Sequence, residues 1–293
     1  MTGVQTCALP ILERQVRGMV ITHNMAAMGA TRQLKTSVKK TEEASDKLGS
    51  GYRIITDKDD AAGLCISEAM RHQIKSLNRV DGNLADGIGL IQTADAALEE
   101  TQNILDRMAE LTTQAANDVN TDADRDAIQS EVGQLQEEID RIANDTSFNG
   151  QYMLAAGTPK AAPGYYKVQA GALGGQAINI EYINASKESL GIADLDVSSY
   201  DNAGKSLEKV QNAISIAGQW RNDFGATQEK LEHAVRSTEL THENTQSAES
   251  KIRDTDMGEE TVIYTRNQIL VNAGQSLLAQ FNSSPKSVAM LLQ

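Results

Sequence analysis

Met70, Leu77, Leu84, Ile91, Leu98 and Leu105 recur at a strict period of seven, and Ile66, Gln73, Val80, Gly87, Ala94, Thr101 and Met108 form the interleaved companion row. A helix brings both rows onto one stripe, so this segment must fold as a long helix lying along other helices. At about 1.5 Å of rise per residue, residues 61 to 117 would extend roughly 80 Å. The pattern predicts a mainly α, elongated molecule, and a structural or assembly protein rather than an enzyme.

Composition agrees with a helical rod. Only 4 of the 293 residues are proline, so long helices meet few breakers, and aromatic content is 4%, low for a densely packed enzyme core. The net charge of −13 argues against nucleic acid, whose phosphates require clustered Lys and Arg. Much of the charge, such as Glu137, Glu138 and Arg141, sits at helical spacing and reads as a solvated face. No apolar run reaches the ~18 residues of a membrane span. Cys7 and Cys65 imply no disulfide framework. Residues 1 to 18 carry a short apolar run, from Cys7 to Leu12, without a basic segment before it. They are expected to be a spurious or disordered extension ahead of a start at Met19.

Along the chain, residues 20 to 49 form a first amphipathic helix through Leu34, Val38, Thr41, Ser45 and Leu48, stopped by Gly49-Ser50-Gly51. A loop from Tyr52 to Asp60 offers Asp59 and Asp60 as caps for the heptad helix. Thr121-Asp122-Ala123-Asp124 opens the next helix, whose seam is Ile128, Val132, Leu135, Ile139 and Ile142, and Asn149-Gly150 ends it. Residues 151 to 203 lose the helical period, and short strands are expected at Tyr165 to Gln169 and Ala177 to Tyr182. This is the one β-like region in the pattern. Helix returns at Ser206 with Leu207, Val210, Ile214, Ala217, Arg221, Phe224, Gln228, Leu231, Val235 and Thr238 in step, then turns polar through His242, Thr245 and Glu249 before Ile252. A last amphipathic helix carries Ile263, Leu270, Ala273, Leu277, Leu278 and Phe281, is expected to be interrupted at Pro285, and closes with residues 288 to 292. The N- and C-terminal rods are expected to pack antiparallel, with the terminal helices meeting at one pole. Apolar stripes at both ends would need a partner, because an isolated helix is marginal in water.

A search for chemistry returns little. His23, His72, His233 and His242 form no metal-binding spacing. Gly204-Lys205-Ser206 resembles the end of a phosphate loop, but Ser199 stands where the first Gly belongs, so a turn leading into the helix is expected. Asp57, Asp59 and Asp60 fail the calcium-loop register and read as helix caps. Cys65 has no His nearby in sequence and reads as a buried small hydrophobe.

The ends are more specific. Leu48-Gly49-Ser50-Gly51-Tyr52-Arg53-Ile54, then Asp59-Asp60-Ala61-Ala62-Gly63-Leu64-Cys65-Ile66-Ser67, resembles the N-terminal signature of bacterial flagellin. So do Asp86-Gly87-Ile88, Ile91-Gln92-Thr93-Ala94-Asp95, Glu138-Ile139-Asp140-Arg141-Ile142-Ala143 and Phe148-Asn149-Gly150. Ser250-Lys251-Ile252-Arg253-Asp254-Thr255-Asp256-Met257, Gln268-Ile269-Leu270, Ser276-Leu277-Leu278-Ala279-Gln280, Pro285 and Leu291-Leu292 are similar to its C-terminal region. The resemblance covers residues 19 to 293, with a short middle in place of the family's variable outer domain.

The resemblance implies a fold and a role. The fold is an elongated antiparallel helical bundle or coiled coil with a small β-hairpin region in mid-chain. The filament core would be built from residues 19–60 and 259–293, and the rod domain from helices at 61–150, a β-rich segment at 151–205 and a helix at 206–258. The role is a non-enzymatic, extracellular filament subunit, secreted through the flagellar export apparatus, whose terminal helices fold into a coiled-coil core on polymerisation. Assembly would run through Leu34, Val38, Leu48, Ile269, Leu270, Leu277, Leu278, Phe281, Leu291 and Leu292. Expected partners are further copies of the chain, an export chaperone, the filament cap, hook-junction proteins and the flagellin-sensing Toll-like receptor, with no cofactor, nucleic acid or membrane insertion. For the receptor the matching residues are Arg107, Glu110, Leu111, Gln114 and Glu131, while Ala109 stands where strongly stimulating members carry a second Arg. Phe281 and Cys65 replace small residues usual in the family. A hook–filament junction protein shares the terminal helices and remains an alternative, as does an adhesin or enzyme carried on the same scaffold.

Overall fold

The structure is a computed structural model that describes residues 24–155 and 164–291, with side chains through residue 284. Residues 1 to 18, His23 and Leu292 lie outside the described residues, and Leu291 lies beyond the described side chains. Among the described residues the order is α1 (Met25–Ser50), α2 (Ala61–Ala115), α3 (Asp122–Asp145), β1 (Ser147–Phe148), β2 (Gln151–Tyr152), β3 (Tyr165–Gln169), β4 (Ala177–Glu181), α4 (Tyr200–Arg253) and α5 (Met257–Leu291). The mainly α class with short antiparallel strand pairs is as the periodicity predicts. The chain divides into two compact units, one from residues up to 67 together with those from 250 onward, the other from residues 68–249.

Local chemistry sets the helix ends. Gly51 adopts a left-handed φ of 74° and its N–H reaches the Lys47 carbonyl at 2.8 Å, which closes α1. Asp60 caps α2 by accepting from the N–H groups of Ala62 and Gly63, at 3.1 and 3.0 Å. Asp59 instead ties the preceding turn, accepting from the N–H groups of Ile55 and Thr56. Thr121 and Asp124 form a reciprocal capping box at the start of α3.

Residues 68–249 form one helical bundle with a β cover. Leu77, Leu84, Ile91, Leu98 and Leu105 are all buried, as are Val80, Gly87, Ala94, Thr101 and Met108 of the companion row. Helix α4 runs antiparallel to α2: Arg221 meets Asp95 at 3.0 Å, and Arg71 meets Glu249 at 3.1 Å further along. Helix α3 folds back on α2, with Arg125 donating to the Ala115 carbonyl and Arg107 paired with Glu131. One apolar cluster joins Leu105, Met108 and Leu111 to Ile128, Val132, Ile139, Val210 and Ala217. The next gathers Leu84, Ile91, Leu98, Met153, Leu154, Ile180, Phe224 and Leu231. The irregular segment after β4 is stitched to α3 by side-chain amides. Gln129 donates to the Leu195 carbonyl at 3.0 Å and accepts from the Val197 N–H at 2.8 Å.

In the other unit, α1 and α5 lie antiparallel. Asn24 reaches Phe281 at one end; Tyr52 bridges Asp254 at the other, where the Thr255 N–H donates to the Gly51 carbonyl. A Cβ on Gly274 would stand 3.3 Å from Leu34 Cδ1, so the two helices approach closely there. The Arg253 guanidinium sits 5.0 Å from the Tyr52 ring centroid, a cation–π contact at the turn between the long helices.

Several expectations need correction. The heptad stripe fails at its start: Ile66 and Gln73 are exposed, because Gly63 and Ser67 occupy the inward positions there. For the same reason Cys65 is exposed rather than buried. Helix α3 stops at Asp145. Asn149-Gly150 is the turn of a second, two-residue hairpin, with both residues at positive φ (49° and 73°), the geometry that suits a tight hairpin. Helix α4 starts at Tyr200, so Asp201 to Gly204 are helical. The Ser206 hydroxyl there is buried, donating to the Asp196 carbonyl and accepting from its N–H. Pro285 does not interrupt α5, which continues to Leu291.

Two measurements test this packing. A Cβ on Gly87 would meet Val168 Cγ2 at 3.0 Å, where the β3–β4 hairpin rests on α2. Gly87→Val should therefore lower stability to urea by about 2 kcal/mol through overpacking; an unchanged midpoint contradicts the close approach. The second concerns acid. The Thr56 N–H at Asp59, the Thr121 hydroxyl at Asp124 and the Ser198 hydroxyl at Asp196 hold these carboxyls below the ordinary value of 3.8. A carboxyl with a depressed folded pKa contributes stability that is present above its unfolded pKa and is lost as pH falls through the folded one. The melting temperature should hold above about pH 5 and drop below about pH 4; one that stays level down to about pH 2.5 overturns this.

Candidate assembly surfaces

Each terminal helix carries two faces. On α1 the inward row is Ala27, Ser37 and Ala44, buried, with Thr31, Leu34, Thr41 and Leu48 half-buried between them. On α5 the matching row is Glu260, Asn267 and Val271, with Ile263, Tyr264, Gly274, Leu278 and Phe281 half-buried. The seam is narrow, and small or polar residues fill much of it.

The outward faces keep large apolar side chains. Met25 is 71% exposed, Val262 58% and Ile269 62%, and Met28, Val38, Leu270 and Leu277 are exposed with them. Val262, Thr265, Arg266, Ile269 and Leu270 line a shallow groove with an almost wholly apolar wall. Of the ten residues singled out for assembly, the eight with described side chains separate by role. Leu34, Leu48, Leu278 and Phe281 serve the α1–α5 seam, whereas Val38, Ile269, Leu270 and Leu277 point away from it. Met25, Met28 and Val262 complete the outward stripe. Their signal in the sequence is apolar residues spread over more than half the helix circumference, which a single row per helix does not capture.

The receptor candidates also separate. Arg107 Nη1 donates to Glu110 at 3.0 Å and Nη2 to Glu131 at 3.0 Å, a bridge that ties α2 to α3 and raises the guanidinium pKa, chiefly through Glu131. Arg107, Glu110 and Gln114 are exposed and Glu131 half-exposed. Leu111 is 3% exposed within the apolar core, so it supports the helix from inside and is no part of the surface. Ala109 is half-buried against the same core.

The sites examined for chemistry stay apart. His72 and His233 are exposed and His242 is half-buried; among the described residues no group of three His, Cys, Asp or Glu is placed to hold a metal. No described helix is long and apolar enough to cross a membrane.

Comparison with known proteins agrees with this two-ended arrangement. The family model of the bacterial flagellin N-terminal helical region matches residues 21–158, and that of the C-terminal helical region matches residues 207–292. A flagellin of Halalkalibacterium halodurans is 39% identical over 277 residues, covering 94% of this chain and 100% of that protein. A flagellin of Bacillus subtilis is 40% identical over 305 residues, with the same 94% and 100% coverage. Among solved structures, Bacillus cereus flagellin is 32% identical and covers 54% of this chain and 88% of that one, with a TM-score of 0.48. Matched at both ends by the two flagellin helical regions and over nearly its whole length by flagellins, the chain belongs to the bacterial flagellin family.

Proposed function

We propose that this flagellin, a non-enzymatic structural subunit of the extracellular flagellar filament, assembles through the outward faces of α1 and α5. The observation that supports this is the apolar stripe of Met25, Met28, Val38, Val262, Ile269, Leu270 and Leu277, which the α1–α5 seam leaves uncovered. Each of these side chains gains about 1.5–3 kcal/mol on full burial. A neighbouring copy can supply the cover. Because both ends of the chain contribute, one subunit presents different patches to different neighbours, and heterologous contacts whose rotation does not close a ring grow into a helical filament. In this reading residues 19–60 and 259–293 form the filament core, while 61–258 form the rod domain.

The finer partners follow from the same surfaces. The export chaperone, filament cap and hook-junction proteins would meet the terminal helices, whose stripe needs cover before export and at each end of the filament. The Toll-like receptor would meet Arg107, Glu110, Gln114 and Glu131 on the α2–α3 face, with Leu111 acting from the core.

Seeded polymerisation tests the assembly reading. Ile269→Asp should raise the critical concentration more than tenfold, since a charge replaces a side chain that assembly would bury. The melting of the α2–α4 bundle should stay unchanged. Normal filament growth by this variant refutes the outward face as the interface. For the receptor, Arg107→Ala should weaken binding to the purified receptor ectodomain on the order of tenfold. It should leave the melting of the bundle unchanged, because the ion pairs are exposed. Unchanged affinity removes Arg107 from the site.

A further inference from the structure

Pro285 sits inside α5, which runs unbroken to Leu291. A proline has no N–H, so the carbonyl four residues back, that of Phe281, loses its helical donor. That carbonyl is not left bare: the Asn24 side-chain amide donates to it through Nδ2 at 2.8 Å. The same side chain works in two directions, because Asn24 Oδ1 accepts from the Ala27 N–H at 3.0 Å and caps α1. One amide therefore closes the start of α1 and fills the gap that proline opens in α5, across 257 residues of sequence.

We propose that Asn24 is the positioning residue that holds the register of α1 against α5 at the end away from the Tyr52–Asp254 bridge, with Pro285 freeing the acceptor it reads. At the far end of the pair the Tyr52–Asp254 bridge and the Thr255 N–H donating to the Gly51 carbonyl anchor the two helices, and Leu34 fits against Gly274 between the ends. Towards the Asn24 end, α1 buries only Ala27 and half-buries Thr31, small side chains whose packing changes little when one helix slides along the other. The Asn24 bond does not tolerate a slide. A shift of one helical turn, about 5.4 Å, carries the Phe281 carbonyl out of reach, much as one buried Asn fixes register in a coiled coil. A residue with an N–H at position 285 would share that carbonyl and weaken its bond to the amide, so proline leaves the acceptor wholly to Asn24. Register in turn fixes how the outward stripe of α1 (Met25, Met28, Val38) lines up with that of α5 (Ile269, Leu270, Leu277). The inference rests on the proposed assembly through these faces.

The test is a two-residue cycle in the full-length chain, read as the critical concentration for seeded polymerisation. Asn24→Ser keeps a good capping oxygen but lacks the amide that reaches Phe281. It should raise the critical concentration about fivefold to tenfold, the equivalent of one hydrogen bond. Pro285→Ala restores the helical N–H to the Phe281 carbonyl, so in that background Asn24→Ser should change the critical concentration less than twofold. If Asn24→Ser alone yields no filaments, the double variant must recover them. An equal penalty in both backgrounds, or no penalty in either, overturns the coupling of Asn24 to Pro285. Failure of the unsubstituted chain to polymerise would instead overturn the assembly reading, so the two failures are distinguishable.

Discussion

Antiparallel pairing of long helices is the constraint on which the rest of this structure depends. In the bundle of residues 68–249 it aligns Asp95 with Arg221 and Arg71 with Glu249. In the other unit it brings Asn24 to Phe281 and Gly51 to Thr255. Each pairing puts residues more than 120 apart in sequence side by side, so no helix secures its position from local contacts. Caps such as Gly51, Asp60 and Thr121 decide where the helices begin and end, but a cap is worth only about 1 kcal/mol; the seams decide that the helices persist.

The two seams differ in kind. Leu84, Ile91, Leu98, Leu105 and Met108 on α2 are fully buried against residues such as Val210, Ala217, Phe224 and Leu231 on α4, with the strand pairs and α3 covering the flanks. The α1–α5 seam buries Ala27, Ser37, Ala44 and Val271, half-buries Leu34, Leu48, Leu278 and Phe281, and leaves Met25, Val262, Ile269, Leu270 and Leu277 exposed. A bundle of the first sort is self-sufficient. A two-helix pair of the second sort gains little from its own seam, since helices of this kind draw most of their stability from packing. On the proposed assembly this division is useful: the bundle holds its shape through its own core, and the terminal pair would complete its packing against neighbouring copies.

Much of this was legible in the sequence. The seven-residue period located α2 within two residues at its C-terminus, and the Gly51, Asp60 and Thr121 signals marked helix ends correctly. Strands β3 and β4 were visible because alternation is local. The misreadings trace to tertiary contacts that a sequence does not display. Pro285 reads as a breaker because its compensating donor, Asn24, lies at the other end of the chain. Ile66 fits the heptad row, yet the inward face at that level belongs to Gly63 and Ser67. Leu111 reads as a surface residue by family likeness, but α3 and α4 bury it. The outward stripe was half legible: Ile269, Leu270 and Leu277 stood out, while Met25, Met28 and Val262 became visible only once the seam had claimed the opposite face.

A helical reconstruction of the assembled filament by electron cryo-microscopy, at side-chain resolution, tests the central claim most directly. The account predicts that Ile269, Leu270 and Leu277 lie buried against the terminal helices of neighbouring subunits, with α1 and α5 still paired within each subunit. A filament in which these three side chains face solvent, and subunits adhere through other surfaces, would contradict it.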